Sequence, residues 1–157
     1  MIVDTLVSRR RFLAGLVVGA ALPASASTLV AAVSAPPTLI VYKDPGCSCC
    51  TKWVTHMQQN GFATQVHDER DMDAVKARAG VPDALRSCHT ALLGDLVIEG
   101  HVPAGDVQRA VHGSTKVHGL ALPGMVTGSP GMEGGAPEHY VVVAFDAAGK
   151  TTPFATH

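Results

Sequence analysis

The chain predicts an α/β fold of the thioredoxin-like kind, a mixed sheet flanked by helices, with a long Gly/Pro/Met loop before the last strand. Three observations predict it. Apolar β-branched runs and amphipathic helical stretches alternate in the order β-α-β-α-β-β-α. A Cys-x-x-Cys pair, Cys47 and Cys50, falls where the first strand gives way to the first helix. The Gly/Pro/Met-rich stretch from Gly119 to Pro137 is too long for an ordinary connection, so it is either functional or unstructured.

Thr38 to Tyr42 is a continuous apolar run and reads as a buried strand, and Lys43-Asp44-Pro45-Gly46 is the turn that delivers the cysteines. A helix from about Cys49 to Asn60 carries Cys50, Trp53, Val54 and Met57 on one face, and Asn60-Gly61 stops it. Phe62 to His67 alternates as a second strand. Asp71 to Ala79 reads as a helix closed by Gly80-Val81-Pro82. Thr90 to Leu93 and Leu96 to Glu99 form a hairpin about Gly94-Asp95. Pro103 to Val111 is a short helix, and Tyr140 to Phe145 is the last strand expected.

The first residues point to export. Ser8-Arg9-Arg10-Arg11-Phe12-Leu13 is a basic head with a twin arginine, followed by an apolar stretch to about Leu22 and by Ala24-Ser25-Ala26, an A-x-A cleavage pattern. That apolar stretch is too short for a membrane anchor, which takes about 20 helical residues. Residues 1–26 are therefore expected to be a twin-arginine-type signal peptide. Val33-Ser34-Ala35 is a second candidate cut, residues 27–37 are a flexible lead-in, and 38–157 form one domain in the periplasm. Without residues 1–26 the chain keeps nine Lys/Arg against twelve Asp/Glu, a net charge of −3. A mildly acidic chain with no basic run and few aromatics does not suit nucleic acid. No further stretch is long and apolar enough to span a membrane.

All four cysteines lie in the expected domain: Cys47, Cys49, Cys50 and Cys88. An even number in an exported protein ordinarily suggests structural disulfides. The spacing argues otherwise, because adjacent Cys49 and Cys50 pair only in a strained vicinal ring and Cys47–Cys50 closes a small, reducible loop. The helix start lowers thiol pKa there. Cys49 is one sulfur more than dithiol chemistry requires. Cys88, in Ser87-Cys88-His89-Thr90 just before the third strand, occupies the segment that packs beside the Cys-x-x-Cys in thioredoxin-like folds, usually through a cis-proline. The nearest prolines are Pro82 and Pro103, so that device is expected to be absent.

Clustered thiolates select Cu(I), Zn(II) or iron–sulfur clusters. The paired ligand units of a structural zinc site are missing, and neighbouring sulfurs are better used bridging several ions than chelating one. A polynuclear Cu(I)–thiolate cluster is the expectation. Two Pro-Gly-Met units in the long loop offer Met125 and Met132 as thioether ligands, since a Met on a polar loop has no evident core to fill. Among eight histidines, His89 and His101 are the best placed to bind metal or orient the site. His56 lies seven residues after Cys49, about 10 Å along the helix, too far to share its ion simply. Trp53 is a core residue or a lid. His67, His112, His118, His139 and His157 are expected at the surface.

Tyr42-Lys43-Asp44-Pro45-Gly46-Cys47-Ser48-Cys49-Cys50 with Trp53 and His56 resembles the CopG-type copper-resistance proteins of the bacterial periplasm, long catalogued as a domain of unknown function. Further blocks carry the likeness: Gly80-Val81-Pro82, Ser87-Cys88-His89-Thr90, Glu99-Gly100-His101-Val102-Pro103 and Gly119 through Glu133. The resemblance spans about Leu39 to Phe145. It implies a thioredoxin-like fold, a multinuclear copper centre on Cys47, Cys49, Cys50 and Cys88, and a role in copper tolerance that includes Cu(I)/Cu(II) interconversion. Copper ions and other periplasmic copper-handling proteins are the partners it implies. Two other classes stay open on the residues alone. One is a thiol–disulfide oxidoreductase with Cys47 as nucleophile and Cys50 as resolver; the other is an iron–sulfur carrier.

Overall fold

The computed structural model describes residues 38–113 and 117–157. The signal peptide and lead-in expected over residues 1–37 lie outside the described residues. Seven strands, β1 (Thr38–Lys43), β2 (Ala63–Asp68), β3 (His89–Leu93), β4 (Leu96–Glu99), β5 (Gly119–Ala121), β6 (Val141–Phe145) and β7 (Thr151–Thr156), form one mixed sheet in the order β2-β1-β3-β4-β5-β6-β7. The expected α/β layering with a mixed sheet and flanking helices is what the chain adopts.

Strand β1 (Thr38–Lys43) is interior and alternately buried, with Leu39 and Val41 fully covered. Helix α1 (Ser48–Gln59) begins one residue ahead of expectation because Cys47 itself is the N-cap, its Sγ accepting the Cys50 amide at 3.3 Å. That helix buries Cys50, Trp53, Val54 and Met57, and the chain then reverses at Gly61, where φ is +88°. Strand β2 (Ala63–Asp68) pairs parallel with β1 as a largely exposed edge strand. Asp71 caps helix α2 (Met72–Arg78) by accepting the Ala74 amide at 3.0 Å.

Strand β3 (His89–Leu93) runs antiparallel to β1, with Lys43 opposite His89. Strand β4 (Leu96–Glu99) returns antiparallel to β3, with Thr90 opposite Glu99. Helix α3 (Ala104–His112) follows. One face of the sheet carries the larger core, in which Trp53, Val54, Met57 and Val107 pack on Leu39, Val41, Ala91, Ile98, Leu120 and Val142. The other face carries a smaller cluster of Val81, Leu85, Val97, Ala121 and Phe145.

Two expectations need correction. The loop read from Gly119 to Pro137 opens with strand β5 (Gly119–Ala121), parallel to β4; three residues are too few to show an alternation. Strand β6 (Val141–Phe145) is not the last, because β7 (Thr151–Thr156) pairs antiparallel with it at the sheet edge. Pro153 disguises β7, since a proline within a run counts against a central strand; it is tolerated at an edge, and the register slips at Val142/Val143 opposite it. No cis peptide bond occurs among the described residues, and none of their helices is long and apolar enough to cross a membrane.

Candidate metal centre

The turn after β1 is held by Asp44, whose Oδ1 accepts the Gly46 amide at 2.7 Å and whose carbonyl accepts the Cys47 amide at 3.0 Å. It delivers Cys47 and Cys49 half-buried and Cys50 fully buried. The Cys47 and Cys49 sulfurs stand 3.5 Å apart. Because Lys43 pairs with His89, Cys88 falls beside the turn that leaves β1. Sheet register thus brings sequence-distant sulfurs to one end: the Sγ atoms of Cys47, Cys49, Cys50 and Cys88 lie within 4.8 Å of one another. A thiolate–metal bond of about 2.3 Å lets one ion join two sulfurs about 4.6 Å apart, so these sulfurs stand at the distance for shared ions.

Cys47 and Cys50 are joined as a disulfide, while Cys49 and Cys88 are free thiols. The structure therefore shows the oxidised state of the Cys-x-x-Cys pair.

A second group shares Cys88. The ligand atoms of Cys88, His89 and His101 lie within 4.8 Å of one another. The β3–β4 register, carried past the strand ends, sets His101 opposite Cys88. His101 Nδ1 lies 2.7 Å from the Pro130 carbonyl, which only accepts, so Nδ1 carries the proton. Its Nε2 keeps a lone pair directed at the Cys88 sulfur, 3.0 Å away. A backbone carbonyl that fixes the tautomer in this way is the usual support of a metal-binding histidine. His89 is fully buried, its ring 4.3 Å from that of Trp53. Its Nδ1 sits 3.4 Å from the Cys88 sulfur, and its Nε2 is buried without a hydrogen-bond partner. A buried unpartnered nitrogen is rare, and here it is Nδ1, not this Nε2, that faces the Cys88 sulfur.

Burial sets the protonation states. It pushes the Cys88 thiol up to about 12, with the neighbouring Cys49 adding to the effect. His89 is held well below the ordinary imidazole value by burial first, then by His101 and Lys76. His101 is lowered by burial, partly offset by the Pro130 carbonyl and Glu133. In the metal-free protein the group is a thiol beside two neutral imidazoles, a soft and borderline donor set of the kind that suits copper.

The long loop closes over this end through Gly131. At φ +90°, an added Cβ there would meet the Cys49 carbonyl at 2.7 Å and His101 Nδ1 at 3.1 Å, so only glycine lets the loop sit this close. Glu133 Oε1 accepts the Gly131 amide at 2.7 Å. Met132 and Cys49 line one open cleft of about 360 Å³ with Lys52 and Glu133. Met125 is 59% exposed and lines no part of that cleft. The structure therefore brings Met132 to the sulfurs' side and leaves Met125 in solvent.

Of the two roles open to it, core or lid, Trp53 is a core residue, fully buried and donating Nε1–H to the Val102 carbonyl at 2.8 Å. His56 lies away from the sulfurs and accepts the Ala104 amide at the start of α3, at 3.1 Å. Of the histidines expected at the surface, His118 is instead half-buried, its Nε2 3.2 Å from the Ala79 carbonyl. His157 is exposed as expected and its Nε2 reaches buried Asp106 at 2.8 Å. The sequence reading missed Lys76 and Glu99, a buried ion pair behind Cys88. The signal was there in Leu96-Val97-Ile98-Glu99, a carboxylate closing an apolar strand.

A family model described as a protein of unknown function, DUF411, matches residues 85–132. No curated protein sequence matches the chain. Two solved structures, both of copper resistance protein CopG (form 1 and form 2), match with 41% identity and a TM-score of 0.74. The match to each covers 78% of this chain and 98% of the other. At that identity over nearly the whole of the solved protein, the chain belongs to the CopG family of copper resistance proteins.

Proposed function

We propose that this protein is an exported copper-binding protein that holds Cu(I) in a cysteine-bridged cluster of several ions. The observation that carries the reading is the convergence of four sulfurs within 4.8 Å, with Cys88 shared by two imidazoles. Loading begins by thiol–disulfide exchange of the Cys47–Cys50 disulfide with an external dithiol reductant, which supplies two electrons and two protons, leaves two thiols and is itself oxidised to a disulfide. Each thiol then gives up its proton as copper binds. For Cys88, a thiol with its pKa pushed up to about 12, that proton leaves only when the metal arrives. Cys47, Cys49 and Cys50 supply bridging thiolates, and Cys88 ties them to His101 Nε2 and His89. Met132 offers a thioether from the open cleft beside Cys49. Met125, out in solvent, is a capture ligand at most. The mixed N/S donors around Cys88 and the all-sulfur side differ in softness, which supports a role in Cu(I)/Cu(II) interconversion or in passing copper to other periplasmic copper-handling proteins.

Anaerobic titration of the reduced protein with Cu(I) tests this. The expected result is several equivalents bound, reduced by Cys49→Ser and by Cys88→Ser. Uptake of at most one ion, indifferent to Cys49→Ser, contradicts a cluster. The twin-arginine head supports a periplasmic location, and amino-terminal sequencing of protein from a periplasmic extract should place the cut after Ala26.

The Cys47–Cys50 disulfide at a helix start favours a second reading, a thiol–disulfide oxidoreductase. That reading expects insulin reduction that survives loss of Cys49 and Cys88 but not of Cys47.

A further inference from the structure

Behind the fourth sulfur lies a closed polar network that the copper chemistry does not itself use. Lys76 on α2 and Glu99 at the end of β4 meet at 2.7 Å, 4% and 0% exposed. Buried Thr90 donates its hydroxyl to Glu99 Oε2 at 2.7 Å and accepts from Lys76 Nζ at 3.1 Å. Glu99 Oε1 also accepts the backbone amide of Ser87 at 2.6 Å, one residue before Cys88.

Stability is a weak reason for two charges here, because a buried ion pair rarely outdoes apolar side chains of the same volume. Locally, however, the pair has a definite effect. Cys88 is held through its neighbours: Ser87 by the Glu99 carboxylate and, through its hydroxyl, by the Gly124 carbonyl at 2.6 Å; His89 by the Gly100 amide at 3.0 Å. No proline fixes this segment, so the carboxylate–amide bond stands where thioredoxin-like folds usually have one. Glu99 also lies two residues before His101, so one side chain ties down the chain on both sides of the Cys88–His101 contact.

We propose that Glu99, braced by Lys76 and Thr90, is a positioning residue that sets the Cys88 sulfur at sharing distance from the other three sulfurs and His101. The proposal rests on the copper-cluster reading above. Outer partners of metal ligands are worth about 10–100-fold in affinity, and that is the size of effect expected.

The test is a four-protein comparison: native, Glu99→Leu, Cys88→Ser and the double variant. Leucine removes the oxygen that accepts the Ser87 amide at similar volume. Each is checked for fold by far-UV circular dichroism and then titrated anaerobically with Cu(I) against a chromophoric Cu(I) chelator. Positioning through Cys88 predicts that Glu99→Leu weakens Cu(I) binding about 10–100-fold in the native background. In the Cys88→Ser background the same change should matter less than about twofold. A purely structural role lowers affinity equally in both backgrounds, and that result overturns the proposal, as does native-like affinity of Glu99→Leu. Should Glu99→Leu fail to fold, the K76M/E99M variant removes both charges at similar volume and carries the same comparison, with the same loss expected. Native-like affinity of Cys88→Ser alone would instead strike the four-sulfur reading itself.

Discussion

His101 donates its Nδ1–H to the Pro130 carbonyl at 2.7 Å and presents Nε2 to the Cys88 sulfur at 3.0 Å. That one imidazole links the long loop to the segment before β3. The arrangement makes loop closure and the state of the sulfur centre parts of one structure, and consequences follow for each group involved.

Gly131 is where the loop meets helix α1. Gly131→Ala places a methyl against the Cys49 carbonyl and the Trp53 amide, in a backbone conformation alanine adopts poorly. The loop should lift, at a cost of more than about 1 kcal/mol. Urea unfolding measures the cost, and a faster rate of Cys49 alkylation in the metal-free protein reports the opening.

Met132 and Met125 occupy equivalent Pro-Gly-Met units but different surroundings. Met132→Leu should weaken Cu(I) binding in a chelator competition, because it removes the thioether from the cleft that Cys49 lines. Met125→Leu should leave affinity unchanged, since that side chain is 59% exposed. The reverse order of effects would move copper entry to the other end of the loop.

His89 is buried neutral, so acid should destabilise the metal-free protein. The unfolded imidazole takes up a proton near pH 6.5, whereas the native one is held well below that value. The unfolded state therefore binds more protons as pH falls, and stability is full above about pH 6.5 and declines below it. Urea midpoints at pH 7 and pH 5 should differ more in the native protein than in His89→Gln.

Trp53 Nε1–H is paired to the Val102 carbonyl in the core. Trp53→Phe removes that donor, leaves the carbonyl unpaired and opens space beside His89. Destabilisation of about 2–3 kcal/mol is expected from the lost hydrogen bond and the cavity together, read from denaturant unfolding.

The sulfur convergence was legible in the sequence for a simple reason. A Cys-x-x-Cys follows the first strand and Cys88 precedes the third, and strands that pair antiparallel bring those two ends side by side. His101 was legible by the same logic, two residues past a strand that hairpins with β3. The Lys76–Glu99 pair was not, because Lys76 looks like an ordinary exposed helix residue until α2 is seated on the sheet. Met125 and Met132 look alike in sequence; only the path of the loop over Cys49 separates them. β7 was hidden by Pro153, whose strand pairing depends on an edge position that local pattern does not reveal.

The account turns on several copper ions sharing these sulfurs. X-ray absorption of the Cu(I)-loaded, reduced protein tests it most directly. Predominantly sulfur ligation with short copper–copper scattering, lost in Cys88→Ser, is the predicted spectrum. A single copper with two sulfur neighbours, no metal–metal scattering and no response to Cys88→Ser would contradict it.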